Sequence, residues 1–323
     1  MIHSFRRHAM HGLAMSIVVL APCLPQTARA GTQTLTIGFP KAGFSPLEIQ
    51  RRYADYYGAL ERCANVRLTN SRGTPIGVAG PELLSDDELI ERLRTGKLSM
   101  ALLPTGLTVV AAQRGLGSPI AARGRADTGA IDTYKPLLLV RADSPYKQPR
   151  DLAGEAVAHT STGSFSGDFV PRALFPRIGL VPGVNYAAVY SKGHERSITG
   201  LRYGFWKGAA VAGDVFERMV ANGEMKSSEV RVLWSGEPFP VEAWFVAATV
   251  SAQTEAKLRE CTYAYRLSPA ASKALHGADA FVPIDYDRDY APVRTVILHS
   301  PKPMAGLAVV DGRASDAVAR KAP

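Results

Sequence analysis

Residues 31–323 hold no apolar run approaching the length of a membrane-spanning helix, which argues against a helical membrane protein over that part of the chain. Cysteine is scarce: Cys23, Cys63 and Cys261 are the only three, and their spacing fits no metal motif. Basic residues outnumber acidic ones by 38 to 29 but are scattered, so nucleic-acid binding is not read from them. No cofactor signature is found, and none is expected.

What is present begins with a secretory signal at residues 1–30. Arg6 and Arg7 form a basic start, residues 13–20 an apolar core too short to span a bilayer, and Ala28-Arg29-Ala30 a cleavage site. Cys23 follows Pro22, an unfavourable context for a lipid anchor, so an exported, water-soluble mature protein is expected. Losing Arg6, Arg7 and Arg29 and no acid lowers the formal charge from +9 to +6. A modest basic excess suits an anionic ligand, although many exported proteins with such an excess bind nothing charged. About 290 remaining residues exceed the usual size of one core and predict two lobes. Cys63 and Cys261 form either a disulfide, as an oxidising compartment permits, or two buried thiols.

Along the chain, Ser45-Pro46-Leu47-Glu48 and Ser85-Asp86-Asp87-Glu88 read as capping boxes opening helices. The helical stripe Ile49, Tyr53, Tyr56, Tyr57 and Leu60 reads as core. These helices alternate with strands near residues 34–39, 66–68 and 98–103, an order that predicts a parallel sheet faced by helices, with ligands beyond the strands' carboxyl ends. Thr105 and Thr108 lie at such an end, as ligand donors or as caps of the next helix. Lys135 to Arg141 is an apolar strand at the first crossing between lobes, and Trp244 to Ala248 reads as the strand crossing back. Two segments, Leu93-Arg94-Thr95-Gly96 and Leu201-Arg202-Tyr203-Gly204, each end a helix on glycine before an apolar strand and support two lobes of related build. Residues 251–276 read as helical, and the chain after Ser300 as a frayed tail. The resulting division is lobe 1 at 31–136 and 243–300, lobe 2 at 137–242, and a tail at 301–323.

The stretch His159-Thr160-Ser161-Thr162-Gly163-Ser164-Phe165-Ser166-Gly167-Asp168 stands between a short apolar strand and a helical pattern. Free backbone N–H groups at a helix start, the positive end of the helix dipole and hydroxyl donors make such a loop an anion site. The alternative is a Ser/Gly loop that only caps its own helix. Successive strand ends in the same lobe bring His194 and Asp214, with Glu242 near the hinge. His194 can also be read as a solvated loop histidine, Asp214 as a helix cap and Glu242 as the partner of a surface cation.

In order and spacing, Ser164-Phe165-Ser166-Gly167, Pro171-Arg172-Ala173-Leu174-Phe175-Pro176, Tyr190-Ser191-Lys192-Gly193-His194, Gly213-Asp214-Val215-Phe216-Glu217 and Pro238-Phe239-Pro240 resemble the phosphate, phosphite and phosphonate type of periplasmic substrate-binding protein of ABC transporters. The resemblance extends to arsenite-sensing relatives. It implies a type II periplasmic binding fold, with two α/β lobes joined by two hinge strands around a ligand cleft. It also implies a small phosphorus oxyanion held by Ser164, Phe165, Ser166 and His194, with Asp214 and Glu242 nearby, and an inner-membrane ABC permease as partner. A periplasmic sensor for a membrane histidine kinase is the alternative.

The chain departs from the family pattern in three ways. Phe165 replaces a polar residue between the serines, no first-lobe tyrosine matches near residues 39–44 or 105–108, and no cysteine lies between Cys63 and Cys261. A compact anion is therefore expected rather than a large aminoalkyl ligand, and thiolate capture of arsenite is not. A hydrolytic triad of Ser166, His194 and Asp214 is disfavoured, because Phe165 stands where a Gly-x-Ser-x-Gly elbow needs its nucleophile.

Overall fold

The computed structural model describes residues 32–41, 45–80 and 82–301; the expected signal and the tail after Pro301 lie outside them. In chain order the strands are β1 (Gln33–Pro40), β2 (Val66–Thr69), β3 (Leu83–Leu84), β4 (Met100–Leu103), β5 (Gly117–Gly124), β6 (Thr133–Tyr134), β7 (Pro136–Arg141), β8 (Ala156–His159), β9 (Ala187–Tyr190), β10 (Gly208–Ala212), β11 (Val230–Ser235), β12 (Phe239–Pro240), β13 (Ala243–Ala247) and β14 (Ala280–Pro283). The first sheet runs β14-β5-β13-β4-β1-β2, with β3 beside β1. As the strand–helix order predicts, β1 is parallel to β2, β3 and β4. The sheet is nevertheless mixed, because β13 returns from the other lobe and enters antiparallel between β4 and β5.

The second sheet runs β11-β7-β10-β8-β9, with β8 parallel to β9 and β10 and with β7 antiparallel to β10 and β11. The chain therefore crosses between two α/β lobes twice. The two crossing segments pair with each other as β6 and β12, which sets Tyr134 opposite Phe239 and Thr133 opposite Pro240. The sites that follow depend on this ribbon, because it closes the back of the space between the sheets.

Local sequence explains most of the elements. Ser45 and Ser85 cap their helices reciprocally with Glu48 and Glu88, as their spacing predicts. Tyr53, Tyr56 and Tyr57 pack on Phe39, Trp244 and Phe281, with Tyr56 and Phe281 centroids 4.7 Å apart. Each buried ring removes roughly 150–250 Å² from water, so this stripe is the core of the first lobe. Cys63 at the end of that helix is bonded to Cys261, with the two Cα atoms 5.7 Å apart; the disulfide is the alternative that forms. Gly96 and Gly204, the two glycine stops matched in sequence, both adopt the left-handed conformation, at φ 69° and 79°.

Three local expectations are corrected. Residues 251–276 form two helices, Ala252–Ala264 and Pro269–Ala274, because Ser268 precedes a proline and caps a new helix instead of extending the old one. Asp214 is not a cap: its helix, Gly213–Ala221, starts one residue earlier and has no side-chain cap. The closing helix, Ala291–Leu298, placed wholly with the first lobe by the sequence reading, packs on both lobes, with Val293 and Val296 in one cluster with Val109 of the first and Leu138, Val140 and Val170 of the second.

Candidate functional site

The serine loop follows β8 and is built as a capped turn. Ser164 takes an extended conformation, and its Oγ accepts the Gly167 amide at 3.2 Å. The amides of Asp168 and Phe169 both return to the Ser164 carbonyl, at 2.9 and 3.0 Å. Phe165 to Phe169 form one wide turn that runs into the Val170–Leu174 helix. Gly167 is required, since a Cβ there would lie 2.1 Å from Thr160 Oγ1. Among the described residues, the amides of Phe165 and Ser166 have no hydrogen-bond partner, as the first amides of a helical segment do not. Capping therefore leaves donors free here: the Ser164 oxygen is used as an acceptor and its proton remains to donate.

Behind the loop, Asp168 is fully buried. It accepts the Gly163 amide (3.0 Å), Arg172 Nε (2.9 Å) and Nη2 (2.6 Å), and the Tyr190 hydroxyl (2.7 Å). Burial alone would raise the Asp168 pKa, but His159 and Arg172 outweigh it and hold the carboxyl well below the usual range. His159 bonds Tyr186 through Nε2 at 2.8 Å, and burial keeps its ring neutral. This network fixes the loop from the inside without placing a charge in the cleft.

His194 begins the His194–Arg202 helix. Its Nδ1 accepts the Ala212 amide at 3.1 Å, so in the neutral ring the proton sits on Nε2. Burial lowers its pKa and favours that neutral form. An Nε2–H donor suits an anion and is the wrong tautomer for a hydrolytic base, which must accept a serine proton at Nε2 while donating Nδ1–H to a carboxylate. The hydroxyl-histidine-acid set is therefore a donor array rather than a triad.

The opposite wall was not foreseen. Arg123, on β5, is 5% exposed. Its Nη1 lies 3.1 Å from Asp132 Oδ2, its Nη2 3.3 Å from Asp214 Oδ2 and its Nε 3.4 Å from Glu242 Oε1. Nη1 also donates to the Leu275 carbonyl at 3.3 Å. Burial raises the pKa of Asp214 and Asp132 despite this cation, whereas at Glu242 the Arg123 charge outweighs burial and lowers it. The alternative of Glu242 pairing with a cation is thus what occurs, but with a buried one.

The two walls enclose a cavity of about 130 Å³. Ser164, Phe165, Ser166 and His194 line it from the second lobe, together with Asp214; Thr105 and Glu242 line it from the first lobe and the crossing. Thr105 directs its hydroxyl proton to the Pro240 carbonyl at 2.7 Å, so it ties down the crossing strand rather than offering a donor. Thr108 bonds the Leu103 and Pro104 carbonyls of its own helix start. Phe165 packs edge-on against Phe239, at 4.8 Å between centroids.

Sequence reading missed Arg52, Arg123, Arg218, Tyr134 and Asp86, which also line the cavity. Charged side chains therefore share the lining with the neutral donors of the serine loop. Tyr134 reaches the space from the crossing ribbon and faces the Thr105 and Ser166 hydroxyls, and burial pushes its phenol pKa up. Burial likewise raises Asp86 to about 6. Arg218 pairs with Glu195 in its own lobe and, at 3.5 Å, with Glu48 of the other. Arg123 carried a readable signal: a charged residue inside the buried run Ile120-Ala121-Ala122-Arg123 requires partners. Among the described residues, no group of three or more His, Cys, Asp or Glu is placed to hold a metal ion.

The family described as the periplasmic substrate-binding protein of phosphonate ABC transporters matches residues 83–290. The binding component of an ABC phosphonate transporter from Pseudomonas aeruginosa superposes with a TM-score of 0.68 at 17% identity, over 83% of this chain and 86% of that one. PhnD1 from Prochlorococcus marinus, solved in complex with methylphosphonate, gives 0.66 at 15% identity, over 82% and 97%. The periplasmic aliphatic sulphonate-binding protein SsuA of Escherichia coli gives 0.52 at 16%, over 82% and 86%. The fold shared with these proteins is the type II periplasmic binding fold. With the family match spanning well over half of the chain, and with a donor array in place of catalytic machinery, this chain belongs to the periplasmic phosphonate-type substrate-binding proteins of ABC transporters.

Proposed function

We propose that the cleft captures a small phosphorus oxyanion, a phosphonate or phosphite, and presents it to an inner-membrane permease. One observation carries the reading. The Ser164 and Ser166 hydroxyls, the two unpartnered amides of Phe165 and Ser166, and the Nε2–H of His194 belong to one wall of a cavity of about 130 Å³. All are neutral donors, and a helix start contributes its positive end. Such a wall stabilises an anion by hydrogen bonds, each worth roughly 1.5–3 kcal/mol when the acceptor is charged.

Phosphonate and phosphite differ from phosphate and sulfate in carrying one phosphorus substituent that needs no hydrogen bond. Phe165, packed against Phe239, puts an apolar ring beside the donors where that substituent can lie. The methylphosphonate held by the Prochlorococcus protein gives the first probe. A thermal-shift panel of methylphosphonate, phosphite, 2-aminoethylphosphonate, phosphate, sulfate and arsenite tests the reading, since a ligand that binds only the folded state raises the melting temperature. The largest shift is expected from methylphosphonate or phosphite. A larger shift with sulfate or phosphate, or none with any phosphorus anion, would contradict it.

A further inference from the structure

We infer that Arg123 is a built-in counter-ion for the far wall of the cavity, and that it makes the protein select oxyanions with an uncharged substituent over those carrying an amine. The inference rests on the oxyanion reading above and adds the chemistry of the ligand's other end.

Asp214 and Glu242 both line the cavity, Asp214 from the second lobe near His194 and Glu242 from the crossing. Two carboxylates facing a bound anion require a cation, which either the ligand or the protein can supply. Here the protein supplies it. Arg123 meets a different carboxylate at each of its three nitrogens: Asp132 at 3.1 Å, Asp214 at 3.3 Å and Glu242 at 3.4 Å. The bond from Nη1 to the Leu275 carbonyl, at 3.3 Å, fixes the plane of the fork. A ligand ammonium brought between Asp214 and Glu242 would find both already paired and would meet the guanidinium at close range, where like charges repel. Arg52 and Arg218 add two more cations to the same lining. Asp86, the cavity carboxylate with no ion pair among the described residues, lies beside Gly163 of the serine loop.

Arg123 also joins the lobes, since it lies on β5 of the first sheet and Asp214 on the helix that follows β10 of the second. Loss of that link weakens closure on every ligand alike. Loss of the counter-ion changes the ratio between a charged and an uncharged tail. The ratio separates the two effects.

Calorimetric titration with propylphosphonate and 2-aminoethylphosphonate, which match in size and differ by a methyl against an ammonium, provides the test. Wild type is expected to bind propylphosphonate at least about tenfold more tightly, and Arg123→Met to shift the ratio of the two affinities at least about tenfold toward the amino compound. Equal or tighter binding of 2-aminoethylphosphonate by wild type overturns the inference by itself, so a variant that fails to fold does not protect it. An unchanged ratio in a folded Arg123→Met also overturns it. Failure of wild type to bind either compound while it binds methylphosphonate would show selection by size and overturn the inference, whereas failure to bind methylphosphonate as well would remove the oxyanion reading on which it stands.

Discussion

The two walls of the cleft hold their polar groups by different means. On the second-lobe wall, donors within one ten-residue stretch are fixed by a carboxylate in the same stretch: Asp168 reaches Gly163 five residues back and Arg172 four residues on. Around Arg123 of the first lobe, Asp132 is gathered from 9 residues away and Asp214, of the second lobe, from 91. The first arrangement keeps charge behind the loop and turns neutral donors to the cavity. The second leaves charge at the cavity surface and neutralises it there. The serine loop and the Arg123 cluster thus differ in where their counter-ions lie.

The largest expected effect distinguishes these two constructions. Asp168→Asn removes the buried charge that compensates Arg172 and should cost about 3–5 kcal/mol in urea unfolding. Asp132→Asn leaves Arg123 with two carboxylates and should cost about 1–2 kcal/mol, so equal losses would break the comparison. The Asp168 carboxyl has a depressed pKa in the folded state, so its contribution is complete above the ordinary pKa of about 3.9 and is lost as pH falls through the lower folded value. The stability gap between wild type and Asp168→Asn should therefore be level from about pH 5 to 8 and narrow below about pH 4.

Next in size is the disulfide between Cys63 and Cys261, which ties two helices of the first lobe. The paired serine variant should lose about 2–5 kcal/mol of stability. Its methylphosphonate affinity should stay within about twofold, because neither cysteine lines the cavity. A binding loss comparable to the stability loss would show that the walls are not independent of that core. Smaller again, Ser166→Ala and His194→Ala should each weaken methylphosphonate binding roughly tenfold to a hundredfold in calorimetry, with near-native melting. Least of all, Tyr134→Phe removes one hydroxyl that faces Ser166 and should weaken binding about two- to tenfold.

Legibility followed the same division. The capping boxes at Ser45 and Ser85 and the serine loop were readable because their partners lie within a few residues, where helix and turn geometry fixes distance, and the aromatic core stripe because its own helical spacing marks one face. The cap alternative for Asp214 came from a local rule, whereas its ion-pair partner Arg123 comes from the other lobe. Tyr134 was invisible for a related reason: its place in the cavity depends on the pairing of two crossing segments, set by Phe239 and Pro240 far along the chain. The break at Ser268 was available locally, in the proline that follows it. Arg123 showed only as a charge in a buried run, a signal that it must have partners but not which.

The most direct measurement of the central claim is calorimetric titration of methylphosphonate into wild type and into the Ser164→Ala, His194→Ala double variant. A neutral donor wall at the serine loop predicts at least about a tenfold rise in Kd for the double variant at near-unchanged melting temperature. Equal affinity in the two proteins would place the anion elsewhere and contradict the account.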